Sequence, residues 1–245
     1  MSDKKFDKNS KKNVIQFALM LSVICSLLIT GAASGLKNLQ LENIKLDKKA
    51  NILKAANLIT GNKKPAREVI LKLYNDHIQE VMVNQSGQAV DIKAVEIKND
   101  DVLQLYYYHT NNVIDGYILP INTKGLWGKI QGYLAFENDG QTVSGFSVFS
   151  HSETPGLGGE IENAWFRKNF KGKKILNSQN KFVSVGIAKG KVKNLPKNLQ
   201  DHYVDGISGA TLTGQYLSEG IKATLTKYEP LSISFRQKSL KALEK

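Results

Sequence analysis

The chain has 245 residues, a formal net charge of +12 and 41% hydrophobic residues, which gives room for one domain of about 200 residues plus an appendage, or for two small domains. A single cysteine excludes an intrachain disulfide, so cysteine usage says nothing about compartment. The positive charge is spread over the chain and forms no recognition-helix or RNA-binding signature, so it reads as solvated faces and lipid-proximal lysines rather than a nucleic-acid site.

Lys4, Lys5, Lys8, Lys11 and Lys12 precede an uncharged run from Asn13 to Leu36, 24 residues long. At 1.5 Å per residue this run spans a bilayer core of about 30 Å. Ala32-Ala33-Ser34 would suit a signal-peptide end, but the run is longer than a signal core, which favours an uncleaved anchor. Cys25 follows Ile24 rather than a small residue, so it reads as an apolar side chain and not a lipid-attachment site. Lys37, Lys45, Lys48 and Lys49 follow the run, and the balance leans slightly toward a cytoplasmic N-terminus. The resulting division is a cytoplasmic segment 1–12, a transmembrane anchor 13–36 and an extracytoplasmic domain 37–245, opened by a juxtamembrane helix of about 37–60.

Gly61-Asn62 then marks a turn, and Pro65 suits the first turn of a helix reaching Val83, with Val69, Ile70, Leu73 and Ile78 inward. Alternating stretches follow at Val90–Ile97, Leu103–Tyr108, Val113–Leu119, Ile130–Phe136 and Val143–Phe149. They read as strands, separated by turns such as Asn99-Asp100 and Asn138-Asp139-Gly140. Asn163–Phe170 reads as helix, Phe182–Ile187 as strand and Leu212–Lys227 as helix, the last with Leu217, Ile221 and Leu225 four apart. Strands bunched between helices predict an α+β domain with an antiparallel sheet and flanking helices. No glycine-rich dinucleotide fingerprint opens a helix after a strand, so NAD(P)H is not expected to bind here.

Two motifs carry chemistry. The first is Asp205-Gly206-Ile207-Ser208-Gly209-Ala210-Thr211, at the start of the last helix, and it looks like a target site for FMN attachment to Thr211. Ser208 occupies an expected N-cap position, able to accept from the N–H of Thr211. Thr211 then falls in the first turn, where unpaired N–H groups and the helix dipole favour a phosphate. Gly209 and Ala210 keep the backbone approachable for a bulky nucleotide. A threonine hydroxyl is not acidic enough to act unaided, so Thr211 reads as an acceptor served by a separate flavin transferase. The second motif is His151-Ser152-Glu153-Thr154-Pro155-Gly156-Leu157-Gly158-Gly159-Glu160, a tight loop after an apolar strand. His77, His109, His151 and His202 lack metal-ligand spacing, so no metal is assigned.

Together the two motifs resemble the NqrC/RnfG family, FMN-binding respiratory subunits of the sodium-translocating NADH:quinone oxidoreductase and of the Rnf electron-transport complex. Gly125-Leu126-Trp127-Gly128, Gly132-Tyr133-Leu134-Ala135 and Gly159 favour the NqrC side of that family. Asn122-Thr123-Lys124 departs from the glycine commonly found before that Gly-Leu-Trp. The resemblance implies FMN phosphodiester-linked to Thr211, with Ser208, Gly209, Ala210, Leu212 and Thr213 around its phosphate. It also implies Glu153, Thr154, Leu157 and Gly158 near the isoalloxazine ring, and Leu126 and Trp127 as apolar neighbours. Trp127 and Trp165 are equally open to a plain core reading. The implied role is an electron carrier in a bacterial inner-membrane complex, its large domain periplasmic. That complex oxidises NADH, reduces ubiquinone and pumps sodium outward. The implied partners are the other subunits, a flavin transferase and the lipid bilayer. An RnfG-type electron-transport subunit and a non-redox anchored binding module, with Thr211 unmodified, stand as alternatives.

Overall fold

The computed structural model describes residues 10–60, 65–84, 87–90, 102–111 and 113–237. The turns at Gly61-Asn62 and Asn99-Asp100, and all but Val90 of the strand expected at Val90–Ile97, lie outside these residues. A single helix, α1 (Lys11–Ala55), covers the expected anchor and most of the expected juxtamembrane helix in one element. No proline or turn signal interrupts the Leu-, Lys- and Asn-containing stretch that follows the apolar run. Among the described residues it is the one helix long and apolar enough to cross a membrane. The chain divides into two compact units, 1–45 and 46–245, and the larger one carries the sheet.

Helix α2 (Arg67–His77) is followed directly by strand β1 (Ile78–Asn84). The helix expected to reach Val83 therefore stops six residues early. Val81 and Val83 are β-branched, alternate with more exposed neighbours, and lie in a seven-residue register from Ile78 opposite Tyr108 to Asn84 opposite Val102. Cross-strand packing overrides the helical spacing here. Val69, expected inward on α2, is exposed, whereas Ile70 is fully buried.

The remaining sheet strands are β2 (Ala89–Val90), β3 (Val102–Thr110), β4 (Val113–Lys124), β5 (Lys129–Glu137) and β6 (Val143–Ser150). They form one six-stranded antiparallel sheet in the order β2-β1-β3-β4-β5-β6. Its central strands are covered on both faces, so period-two alternation sorts side chains between two cores rather than between core and water. Leu105, Tyr107, Tyr117, Leu119, Leu134 and Phe136 enter one core. Tyr106, Tyr108, Ile118, Tyr133 and Ala135 enter the other, against Ile52, Leu53 and Ile70. The last turns of α1 are tied to β6 by Ser147 Oγ donating to Asn51 O (2.7 Å), and just beyond the helix Asn57 Nδ2 donates to Ser144 O (2.6 Å).

After β6 the chain becomes irregular. A 3₁₀ turn (Gly158–Glu162) leads into α3 (Ala164–Lys168), the realised part of the helix expected at Asn163–Phe170. The strand expected at Phe182–Ile187 reduces to β7 (Gly186–Ile187), paired in parallel with β8 (Tyr203–Val204), while Phe182 makes an isolated bridge to Leu176. Ser184, at φ +70°, breaks the extended run. Between β7 and β8 lie a 3₁₀ turn (Val192–Asn194) and α4 (Lys197–Gln200).

The last helix, α5 (Thr211–Arg236), starts one residue before its expected position and runs past Lys227. Its apolar stripe continues through Tyr228, Leu231 and Phe235, and Pro230 sits inside it. Burial of that stripe outweighs the proline penalty of about 3 kcal/mol.

Candidate functional site

Topology brings the two sequence motifs and the Gly-Leu-Trp block to one end of the sheet. Lys124 pairs with Lys129 at the end of the β4–β5 hairpin, so Gly125-Leu126-Trp127-Gly128 is its turn, closed by Gly125 N donating to Gly128 O (2.6 Å). Ser150, the last residue of β6, pairs with Gln131 near that turn, and the second motif leaves the sheet there. Helix α5 arrives at the same end, where Thr123 Oγ1 donates to Tyr216 O (3.3 Å).

Glu153 joins the three pieces. It is buried, and both carboxylate oxygens accept hydrogen bonds. Oε1 accepts from the backbone N–H of Leu126 (2.8 Å) and of Trp127 (3.1 Å), and Oε2 from Thr213 Oγ1 (2.5 Å). Thr213 is 1% exposed, so its hydroxyl needs an acceptor inside the protein. Two glycines make space for this carboxylate. A Cβ on Gly125 would collide with Glu153 Oε1, and one on Gly158 would lie 2.6 Å from both Oε2 and Thr213 Oγ1. The glycines of the hairpin turn and of the second motif are thus fitted to one side chain.

The start of α5 differs from expectation. Its N-cap is Ala210, with no side-chain cap bond, so Ser208 does not cap the helix. Instead Ala210 N donates to Ile207 O (3.1 Å), closing a turn in which Gly209 takes φ +73°. That positive φ, which glycine adopts without steric cost, turns the chain between Ser208 and the start of the helix. The first intrahelical bond is Gly214 N to Ala210 O (3.1 Å), so the N–H groups of Thr211, Leu212 and Thr213 have no partner within the helix. Thr211 itself is exposed, as are Ser208, Gly209 and Leu212, while Ala210 is buried.

Leu157 reaches over this turn, its Cδ2 within 2.8 Å of a Cβ placed on Gly209. Thr154 is exposed, and its carbonyl accepts from Leu157 N (3.1 Å) and Gly159 N (2.9 Å), which shapes the loop. Leu126, Leu157 and Leu212 are all partly open to solvent, and Trp127 is 69% exposed. Trp165 is 42% exposed, with its indole N–H on Glu160 (2.9 Å). Neither tryptophan is a core residue. An exposed threonine at a helix start with free N–H donors, beside exposed apolar side chains, is compatible with the shape and charge of a flavin nucleotide. The phosphate matches the donors, and the rings match the apolar groups.

Asp205, the first residue of the Asp205–Thr211 motif, supports the loop that leads to Thr211. Its Oδ1 accepts from Val192 N (2.7 Å) and its Oδ2 from Lys191 Nζ (3.0 Å). Burial pushes this carboxyl up, but the Val192 and Lys191 bonds outweigh it and hold the group below the ordinary carboxylate range. The Trp165 and Asn163 donors likewise hold Glu160 low. The sequence shows Glu153 in a glycine-rich loop, but its partners lie 27, 26 and 60 residues away. No local pattern announces that bridge. Each histidine whose contact is seen is tied to a protein group, as with His77 Nδ1 on His109 O and His202 Nδ1 on Lys174 O.

Comparison with known proteins gives a consistent result. Residues 125–226 match the FMN-binding domain family, a span that opens at the hairpin turn and closes within α5. The NqrC protein of the Na(+)-translocating NADH-quinone reductase of Yersinia pestis is 34% identical over 239 residues, covering 86% of this chain and 87% of its own length. Its counterpart in Haemophilus ducreyi is 32% identical over 240 residues, covering 89% and 91%. The solved structure of the same reductase protein from Parabacteroides distasonis superposes with a TM-score of 0.68 at 29% identity, covering 80% of this chain and 96% of that one. Shewanella oneidensis NqrC superposes at 0.63 with 19% identity, covering 80% and 99%, a likeness of fold.

Proposed function

The chain belongs to the NqrC family of Na(+)-translocating NADH-quinone reductase subunits, and from that premise we propose that it carries FMN esterified to Thr211 and serves as an electron carrier in such a complex. The observation that carries this reading is the exposed Thr211 at an uncapped helix start, facing free N–H donors beside exposed Trp127, Leu126, Leu157 and Leu212. In attachment, a bond forms between Thr211 Oγ1 and the FMN phosphorus of FAD, the phosphoanhydride breaks, and AMP leaves as the threonine proton is released. A flavin transferase supplies the catalysis. When bound, FMN supplies reversible electron uptake and release.

The protein's own contributions are positional. The open N–H groups of α5 hold the phosphate, with Ser208, Gly209, Ala210, Leu212 and Thr213 around it. Leu157, Thr154 and Gly158 shape the wall that faces the ring, and Leu126 and Trp127 shield it from water. Glu153 fixes the hairpin turn to α5, keeping that wall in one place relative to Thr211. Electrons that originate at NADH on another subunit pass through this one toward ubiquinone, coupled to outward sodium transport. Residues 13–36 anchor the chain in the bacterial inner membrane, with 1–12 cytoplasmic and 37–245 periplasmic. Covalent attachment suits that side, where a dissociated flavin would be lost.

The test is intact mass and peptide mapping on protein from its native membrane. We expect an increment of FMN minus water on the peptide holding Thr211. Unmodified Thr211 in native material, with the transferase present, would overturn the reading.

A further inference from the structure

Although lysines occur along the whole chain, one stretch of the domain after the apolar run is unusually rich in them. Between Arg167 and Gly206 there are ten Lys and Arg against two Asp, a net +8 of the chain's +12. From Asn163 to Gln200 there is no acidic residue at all. This stretch is also one structural lobe. Lys174 N donates to Asp201 O (2.9 Å), Lys173 Nζ to Gln200 O (2.7 Å), Gln200 Nε2 to Leu195 O (2.9 Å), and Gly206 N to Gly190 O (2.8 Å). These bonds place the segments carrying Lys174, Lys189, Lys193 and Lys197 side by side. All four are exposed, and none forms an ion pair with a described carboxylate.

So many like charges on one lobe repel one another and disfavour the compact state, so packing alone does not account for them. Their location narrows the explanation. The lobe runs into the attachment segment through β8 and Asp205, whose carboxylate is bonded to Val192 N within the lobe. Exposed Leu157 and Leu212 border the same segment. An apolar patch flanked by unpaired charge is the build of a transient protein contact, in which charge steers the encounter and apolar groups make the touch.

We propose that this basic lobe docks an acidic face of a partner subunit, orienting the Thr211 end of the domain toward it. The partner is a protein rather than a lipid surface. The lysines sit at an isolated β-bridge (Lys174), a bend (Lys189), a 3₁₀ turn (Lys193) and a four-residue helix (Lys197), not on the long amphipathic helix with a broad apolar face that lies in a membrane interface. The inference rests on the chain working as a subunit of a respiratory complex.

The test is lysine-acylation footprinting by mass spectrometry on the full chain in three settings: in the native complex, alone in nanodiscs of phosphatidylcholine, and alone in nanodiscs of phosphatidylglycerol. Lys174, Lys189, Lys193 and Lys197 should be protected only in the complex. Triple reversal, Lys174→Glu with Lys193→Glu and Lys197→Glu, should weaken retention of the subunit about tenfold or more and lower the salt concentration that releases it. Circular dichroism and the Thr211 adduct mass check that the variant folds and is matured. Equal acylation in all three settings, protection by phosphatidylglycerol alone, or unchanged retention of the reversed variant would overturn the docking inference. Absence of both adduct and complex in the wild type would instead overturn the functional reading beneath it.

Discussion

The two ends of α5 are built on opposite terms. At its C-terminal end Phe235 stacks on Tyr117 with ring centroids 4.4 Å apart, Tyr117 Oη meets Ser232 Oγ at 2.8 Å, and Arg236 Nη1 donates to Gly140 O at 3.0 Å. Burial is complete enough there to push the Tyr117 phenol well above its ordinary value. At the N-terminal end there is no side-chain cap, Thr211 and Leu212 are exposed, and the first donors are left open. One helix thus has an end that is packed into the fold and an end whose first donors are left open, the end at which we propose the flavin is held. The contrast teaches that one element can be tightly packed at one end and leave its backbone donors open at the other.

The sharpest way to break the contrast is at Thr211. Thr211→Ala should abolish the flavin adduct entirely while leaving the thermal midpoint unchanged, read by intact mass and calorimetry. Covalent flavin surviving in that variant would refute the attachment site. Phe235→Ala at the other end should do the reverse, costing about 3–5 kcal/mol in urea denaturation, with any folded fraction still accepting flavin. If it blocked attachment without destabilising the protein, the two ends would not be separable.

Glu153→Gln probes the join between them. An amide cannot accept from all three donors, so we expect a loss of about 1–3 kcal/mol. Faster hydrogen exchange at the Leu126 and Trp127 amides should accompany it. Unchanged exchange would mean the carboxylate does not hold the hairpin turn.

The smallest effect concerns acid. Asp205 titrates below its ordinary 3.8 in the folded chain, so its stabilisation is present above that value and fades as pH falls through the folded one. Asp205→Asn should therefore cost at most about 1 kcal/mol at neutral pH. The gap from the wild type should close only as pH falls below the ordinary carboxylate value and through the depressed folded one. A gap that persisted in acid would mean the bonds to Val192 and Lys191 do not depend on the charge.

How legible these features are in sequence follows from their range. The apolar run at 13–36, the alternating strands from Leu103 to Phe149 and the stripe Leu217-Ile221-Leu225 rest on local periodicity, and helices or strands form at each. The helix expected through Val83 fails because long-range pairing with β3 decides that segment. Ser208 misleads as a cap because its spacing fits, whereas the positive φ at Gly209 starts the helix after Ala210. The motifs mark the segments that meet at one end of the sheet. Glu153's bridge to Leu126 and Thr213 stays hidden because nothing local distinguishes a carboxylate that binds a ligand from one that binds its own chain.

That bridge also bears on timing. Thr213 meets its acceptor 60 residues upstream, and that acceptor in turn holds an amide 27 residues further back. None of these contacts exists in a nascent or unfolded chain, since such long-range closures form late. A transferase that requires the assembled cradle would therefore modify only chains that have already folded. The flavin would then be a record of completed folding, and a chain lacking it could be recognised as immature before it reached the complex.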